Sequence, residues 1–255
     1  MAEAKTAIAN KPGWVDLSTS DAAAAREFYG KLFGWQVDVN PDPQYGGYAL
    51  AKVGGKDVAG IGPKMDESGP TAWMLYIGTE DADALAGKVE AAGGKVLAPP
   101  FDVGPQGRMA VFADPSGPVV SAWQPAQMGG FNSGADNTFG WGELNARGIE
   151  QAIPFYTKLF GWTTKQSPMG EGMGDYTEFQ LNGQSILGGM EMMSMVPAEV
   201  PSHWMVYFLV ADVDASFKKA IELGAREMMA PSDYPGGRFA IMGDPQGASF
   251  GILKM

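Results

Sequence analysis

The sequence predicts an α+β fold in which one domain-sized unit is written twice, each copy holding two βαβββ modules. Three observations predict it. First, FYGKLFGW at 28–35 returns as FYTKLFGW at 155–162. Aligning Trp14 with Trp141 extends the match through WVDLSTSD on WGELNARG, YALAKVGG on YTEFQLNG, WMLYIGTEDADA on WMVYFLVADVDA, and GRMAVFADPSG on GRFAIMGDPQG. Second, short runs of strand period alternate with single stretches of helical period, and that order restarts inside each copy. Third, 36 glycines beside an ordinary apolar share of 45% favour many turns and short strands around a packed core.

The elements follow in order. VDLST is a short strand. Asp21 is suited to cap a helix, and Ala25, Phe28, Tyr29 and Leu32 then recur at i, i+3, i+4 and i+7, one face of that helix. Phe28, Leu32, Phe155 and Leu159 are expected to pack on the sheet. Gly34 provides the left-handed residue that stops the helix. QVDV, YALAKV and DVAGIG complete a first module. WMLYIG begins a second, with a helix from Asp83 to Ala92 halted at Gly93-Gly94, then KVLAPP, RMAVFAD and VVSAWQP. In the second copy Gly148 stands at the cap and Pro154 lies inside, so that helix is expected to start late or to kink. The predicted domains are 1–126 and 137–255, joined by a polar, Gly-rich linker at 127–136.

Bulk properties exclude several functions. The formal charge is −11, which opposes binding to nucleic acid or to an anionic membrane surface. There is no cysteine, so thiol catalysis, disulfides and thiolate metal sites are out. No run approaches the ~20 apolar residues of a membrane span, and the first residues have no signal-like apolar core. A cytoplasmic location is the expectation. Phosphate loops, Ser-His-Asp arrangements and dinucleotide fingerprints do not occur in a fitting context.

The strand before D-x6-FY-x2-LFGW, then D-x-DA, a helix ending in Gly, and GR-x5-DPxG together resemble the vicinal oxygen chelate (VOC) superfamily of glyoxalases, bleomycin-resistance proteins and extradiol dioxygenases, and more narrowly a two-domain glyoxalase-like subgroup. The resemblance implies that paired modules curl into cup-shaped sheets, with metal ligands, where present, on the first and last strands of the modules. It also implies that internal duplication supplies the geometry single-domain relatives reach by dimerising, so a monomer or a weak homodimer is expected.

Carried over position by position, the family's ligand sites fall on Trp14 and Trp141, near Gly60 and Gly188, on Trp73 or its neighbour and on His203 or Trp204, and on Ser121 and Gly251. His203 is the only histidine. A divalent-metal site from Glu143, Glu191 and His203 is one alternative. With Trp at ligand positions, the cups become aromatic. Strand alternation places Trp14 with Asp16 and Trp141 with Glu143, while Trp73, Trp204, Tyr48 and Tyr176 lie on neighbouring strands. Such a cup is either packed by its own side chains or open to a flat, partly apolar molecule anchored by one carboxylate.

Three readings result. The first is metal-free binding of a small aromatic or amphipathic molecule, with no cofactor. The second is a metal-dependent glyoxalase-like lyase or isomerase acting in the C-terminal domain. The third is a non-metal enzyme with Glu143 or Asp16 as general base, its pKa raised by an apolar site. Arg108 and Arg238 are candidate partners of those acids or braces of their own GR turns. The Met-rich stretch 188–201 is read as packing or as an adaptable lid. Asp114-Pro and Asp244-Pro are read as turns.

Overall fold

The computed structural model describes residues 8–255 apart from 129, 171 and 173. In chain order the strands of the first half are β1 (Pro12–Thr19), β2 (Gln36–Val39), β3 (Ala49–Val53), β4 (Lys56–Pro63), β5 (Ala72–Gly78), β6 (Lys95–Val103), β7 (Gly107–Ala113) and β8 (Val119–Pro125). The second half repeats them as β9 (Phe139–Ala146), β10 (Thr163–Pro168), β11 (Asp175–Leu181), β12 (Gln184–Glu191), β13 (His203–Leu209), β14 (Arg226–Tyr234), β15 (Gly237–Gly243) and β16 (Ser249–Lys254). The longer helices among the described residues are α1 (Ala22–Phe33), α2 (Ala82–Val89), α3 (Ile149–Phe160) and α4 (Val213–Glu222).

Each half of the sequence forms one eight-stranded sheet, ordered β2-β3-β4-β1-β5-β8-β7-β6 and β10-β11-β12-β9-β13-β16-β15-β14. The fold is therefore α+β with two tandem βαβββ pairs. Packing follows a different division. Among the described residues, one compact unit gathers those up to Trp14, Leu75–Gly130 and Trp141–Trp204; the other gathers Val15–Met74, Phe131–Gly140 and Met205–Met255. Each unit thus contains one module from each half.

The first helix of each half forms for legible reasons. Asp21 accepts a hydrogen bond from the Ala24 amide, and Gly34 ends α1 with a left-handed φ of 70°. Ala25, Phe28, Tyr29 and Leu32 are all buried, as their spacing requires. Burial of each such large side chain contributes about 1.5–3 kcal/mol. The helix α3 does not start late: it begins at the position equivalent to the start of α1 and has the same 12 residues. Gly148 offers no side chain, but Glu191 takes its place. The Glu191 carboxylate accepts from the Gly148 and Ile149 amides at 2.9 Å. A carboxylate there meets both the orphan amides and the positive end of the helix dipole.

The repeated octapeptide links the two halves of the sequence. In the unit holding Val15–Met74, the Tyr29 hydroxyl donates to Asp244 Oδ2 at 3.0 Å and accepts from Trp73 Nε1 at 2.9 Å. Trp35, the last letter of the phrase, donates from Nε1 to the Asn137 carbonyl at 2.7 Å. In the other unit Tyr156 donates to Asp114 Oδ2 at 2.8 Å and accepts from Trp204 Nε1 at 2.8 Å, while Trp162 donates to the Asn10 carbonyl at 2.6 Å. Asn10 and Asn137 are equivalent and share left-handed φ values of 59° and 62°. Both tyrosines are wholly buried, which is affordable only because each hydroxyl is satisfied twice.

Candidate functional site

The candidate site residues lie where β1 meets β4 and where β9 meets β12. These pairs are parallel, and their register puts Asp16 beside Gly60 and Glu143 beside Gly188. The acids stand opposite the fourth-strand glycines; the tryptophans that begin WVD and WGE are two residues earlier. Both acids are half-buried.

A tyrosine closes each pair. Tyr176, on β11, donates its hydroxyl to Glu143 Oε2 at 3.0 Å and accepts from Trp141 Nε1 at 2.8 Å. Asn145 Nδ2 lies 3.3 Å from Glu143 Oε1. Tyr48, just before β3, donates to Asp16 Oδ2 at 3.1 Å. The glycines are what admit these phenols. A Cβ built on Gly188 would overlap the Tyr176 hydroxyl and stand 2.5 Å from its Cζ and 2.8 Å from Trp141 Nε1. A Cβ on Gly60 would overlap the Tyr48 hydroxyl and stand 2.9 Å from Asp16 Cβ. The two copies differ in exposure: Trp14 is 3% exposed, whereas Trp141 is only half-buried.

The fifth-strand residues lie elsewhere. Trp73 and Trp204 were expected to line cups with Trp14, Asp16, Trp141 and Glu143. The structure sets them against the first helices instead, each indole bonded to the buried tyrosine and packed edge-on against it at ring-centroid separations of 5.2 and 5.4 Å. The other face of those strands carries Tyr76 and Tyr207, which sequence reasoning missed. Their registers place Tyr76 beside Ser121 and Tyr207 beside Gly251, the positions to which the sequence resemblance carried the last-strand ligands. A Cβ at Gly251 would run into the Tyr207 ring. The missed signal was there: both tyrosines repeat at one aligned position, as Tyr29 and Tyr156 do.

A metal requires several donors on one ion. The described residues do not fit one. No group of three or more His, Asp or Glu side chains able to hold an ion occurs among them. Glu143, Glu191 and His203 are not brought together: Glu191 caps α3, and His203 Nδ1 lies 2.9 Å from the Pro201 carbonyl oxygen. The phenols of Tyr48 and Tyr176 stand where a side chain on the fourth strand would begin.

The arginines resolve the GR motif as bracing. Arg108 donates to Asp83 at 2.7 Å and 2.9 Å and to Asp102 at 2.8 Å. Arg238 repeats this with Asp214 and Asp233, each contact at 2.8 Å. D-x-D therefore divides its work, since Asp81 and Asp212 cap helices and the second Asp receives the arginine. The DPxG turns form as expected, with Gly117 N–H bonded to the Asp114 carbonyl and Gly247 to that of Asp244. Their side chains do more: burial pushes both carboxyls above the usual range even though the tyrosines donate to them. Burial and the neighbouring acids hold Tyr29 and Tyr156 well above the ordinary phenol value.

Comparison with known proteins places this geometry. Residues 11–121 match the family described as the glyoxalase/bleomycin resistance protein/dioxygenase superfamily, and residues 143–253 match a glyoxalase-like domain. "Putative glyoxylase CFP32" of Mycobacterium bovis is 40% identical over 249 residues, covering 95% of this chain and 94% of that protein. "Anthracycline biosynthesis protein DnrV" of Streptomyces peucetius is 38% identical over 261 residues, covering 96% and 93%. Among solved structures, a Mn(II)-bound glyoxalase from Novosphingobium aromaticivorans shares the fold at a TM-score of 0.67 and 18% identity, covering 96% of this chain and 82% of that one. The chain belongs to the glyoxalase/bleomycin resistance protein/dioxygenase (VOC) superfamily, with two tandem domains of that type.

Proposed function

We propose that this protein binds a small aromatic or amphipathic molecule without a metal, and that its working site is in the second half, at Trp141, Tyr176 and Glu143. One observation carries this reading. Trp141 is half-buried, not buried as its counterpart is, while its indole N–H is held by Tyr176, whose hydroxyl is in turn held by Glu143. A fixed, partly exposed indole beside a carboxylate is a stacking surface with an anchor. The equivalent Trp14 is buried, so the first-half copy, with Asp16 and Tyr48, serves as packed structure. The name of DnrV, an anthracycline biosynthesis protein, agrees with an aromatic ligand class.

Titration of tryptophan emission with a panel of planar aromatic compounds tests the reading, alongside elemental analysis for Mn, Ni, Zn and Fe. Saturable quenching that Trp141→Ala removes supports it. Stoichiometric metal that Glu143→Gln removes, together with lactoylglutathione formation, would support a metal-dependent lyase or isomerase instead.

A further inference from the structure

We infer that the unit holding Val15–Met74, Phe131–Gly140 and Met205–Met255 carries a second binding site, a cleft formed by the turn before β9 and the ends of β13 and β16. It takes a small zwitterion with an apolar body, of the kind a dipeptide of apolar residues presents. The inference does not rest on the Trp141 reading, whose residues belong to the other unit.

The first argument is the shape of the cleft. It measures about 500 Å³, inside the range of roughly 300–1,000 Å³ typical of small-molecule sites. Ala135, Leu209, Val210 and Met255 supply apolar surface, and Asp136 and Lys254 supply charge. Backbone bonds fix the walls. Asn137, left-handed at a φ of 62°, donates its amide to the Leu209 carbonyl at 2.7 Å, and the Leu209 amide donates back to Thr138 at 2.9 Å. Val210 N–H reaches the Leu253 carbonyl at 3.0 Å. The hydroxyl of the buried Thr138 accepts from the Ala135 amide at 3.0 Å and donates to the Ala135 carbonyl at 2.7 Å. The three wall segments are thus tied to one another. A ligand meets a preformed shape and pays little to order it.

The second argument is charge. Among the described residues, neither the Asp136 carboxylate nor the Lys254 ammonium makes an ion pair or a side-chain hydrogen bond, with each other or with a third group. A ligand that engages both must carry a cation and an anion set apart. Met255 is 66% exposed, so an aliphatic body between those charges gains by covering it.

The third argument is that the charges are particular to the second half. Thr79 N–H bonds the Trp123 carbonyl as Val210 N–H bonds that of Leu253, which makes Gln124 the counterpart of Lys254. Gln124 is occupied: its Oε1 accepts from the Ala82 amide at 2.8 Å. Lysine has no acceptor with which to repeat that bond. Asp136 precedes Asn137 as Ala9 precedes Asn10. The duplicated framework therefore forms in the first half without this pair of charges.

Titration of the isotope-labelled, full-length protein with L-leucyl-L-leucine, followed through amide NMR shifts, tests the inference. Saturable shifts should cluster at 134–136, 209–211 and 254–255, and should persist in Trp141→Ala. Amidating the dipeptide's carboxylate or acetylating its amine should each weaken binding about two- to fivefold, the worth of an exposed ion pair, and by less as salt is raised. Lys254→Gln should erase the cost of amidation alone, and Asp136→Asn that of acetylation alone. Both positions are exposed, so the variants retain the fold. No saturable shift up to about 10 mM dipeptide, shifts centred elsewhere, or equal binding of the free and blocked dipeptides would overturn the inference.

Discussion

Tyr156→Phe removes one oxygen atom and leaves the ring in place, so its cost isolates the hydrogen bonds that join the two halves of the sequence. Two contacts disappear: the hydroxyl's donation to Asp114 at 2.8 Å and its acceptance from Trp204 at 2.8 Å. Asp114 is 4% exposed and Trp204 is 6% exposed, so water cannot readily replace the lost partner. A hydrogen bond to a charged group contributes about 1.5–3 kcal/mol, and an orphaned buried indole N–H adds about 1 kcal/mol. The expected loss is therefore about 3 kcal/mol. At about 2–4 °C per kcal/mol for a chain of this size, the melting temperature should fall by roughly 6–12 °C. Denaturant unfolding measures the free energy, and a cycle with Asp114→Asn assigns the shared part to the pair. A loss below about 0.5 kcal/mol, or strict additivity with Asp114→Asn, would refute the claim that this triad fastens its unit. Tyr29→Phe should behave alike through Asp244 and Trp73.

Other outcomes follow from the same geometry. Glu191→Ala should cost about 1 kcal/mol in denaturant unfolding, because it uncaps α3, and should leave ligand affinity unchanged. Asp114 and Asp244 have folded pKa values raised by burial, so their favourable contribution is complete below the unfolded carboxylate value near about 3.9 and is lost as pH rises through the folded value. The stability of wild type minus that of Asp114→Asn, measured by denaturation across that window, should therefore decline with rising pH. Tyr29 and Tyr156 have raised values too, so stability should drop once pH exceeds the ordinary phenol value of about 10, and less steeply in Tyr29→Phe/Tyr156→Phe.

Much of the fold was legible because local physics was repeated. The caps at Asp21 and Gly34, the buried face through Phe28 and Leu32, and the βαβββ order are written in residue type and spacing, and the duplication exposes them twice. The faces of β5 and β13 were not legible. Those strands are buried along nearly their whole length, so no polar alternation distinguishes Trp73 from Tyr76 or Trp204 from Tyr207. Capping by Glu191 was hidden as well, since it reaches α3 from β12, far along the chain. The partners Tyr29–Asp244 and Tyr156–Asp114 span the two halves, and no local pattern encodes such pairing. In the candidate site, the acids could be named from strand parity and the tyrosines from their place on a neighbouring strand, but the role of Gly60 and Gly188 needed the register.

The octapeptide accordingly belongs to the framework, and the proposed site lies on the strands that flank Gly188. The glyoxalase-type fold is kept, while a phenol and a carboxylate stand at the positions considered for metal ligands. The most direct test is a binding titration of chelator-treated, metal-free protein with 2,6-dihydroxyanthraquinone, followed through tryptophan emission. Saturable one-to-one binding that Trp141→Ala abolishes and added Mn(II) does not strengthen is the predicted result. Binding that appears only after Mn(II) is restored, or that persists unchanged in Trp141→Ala, would contradict the account.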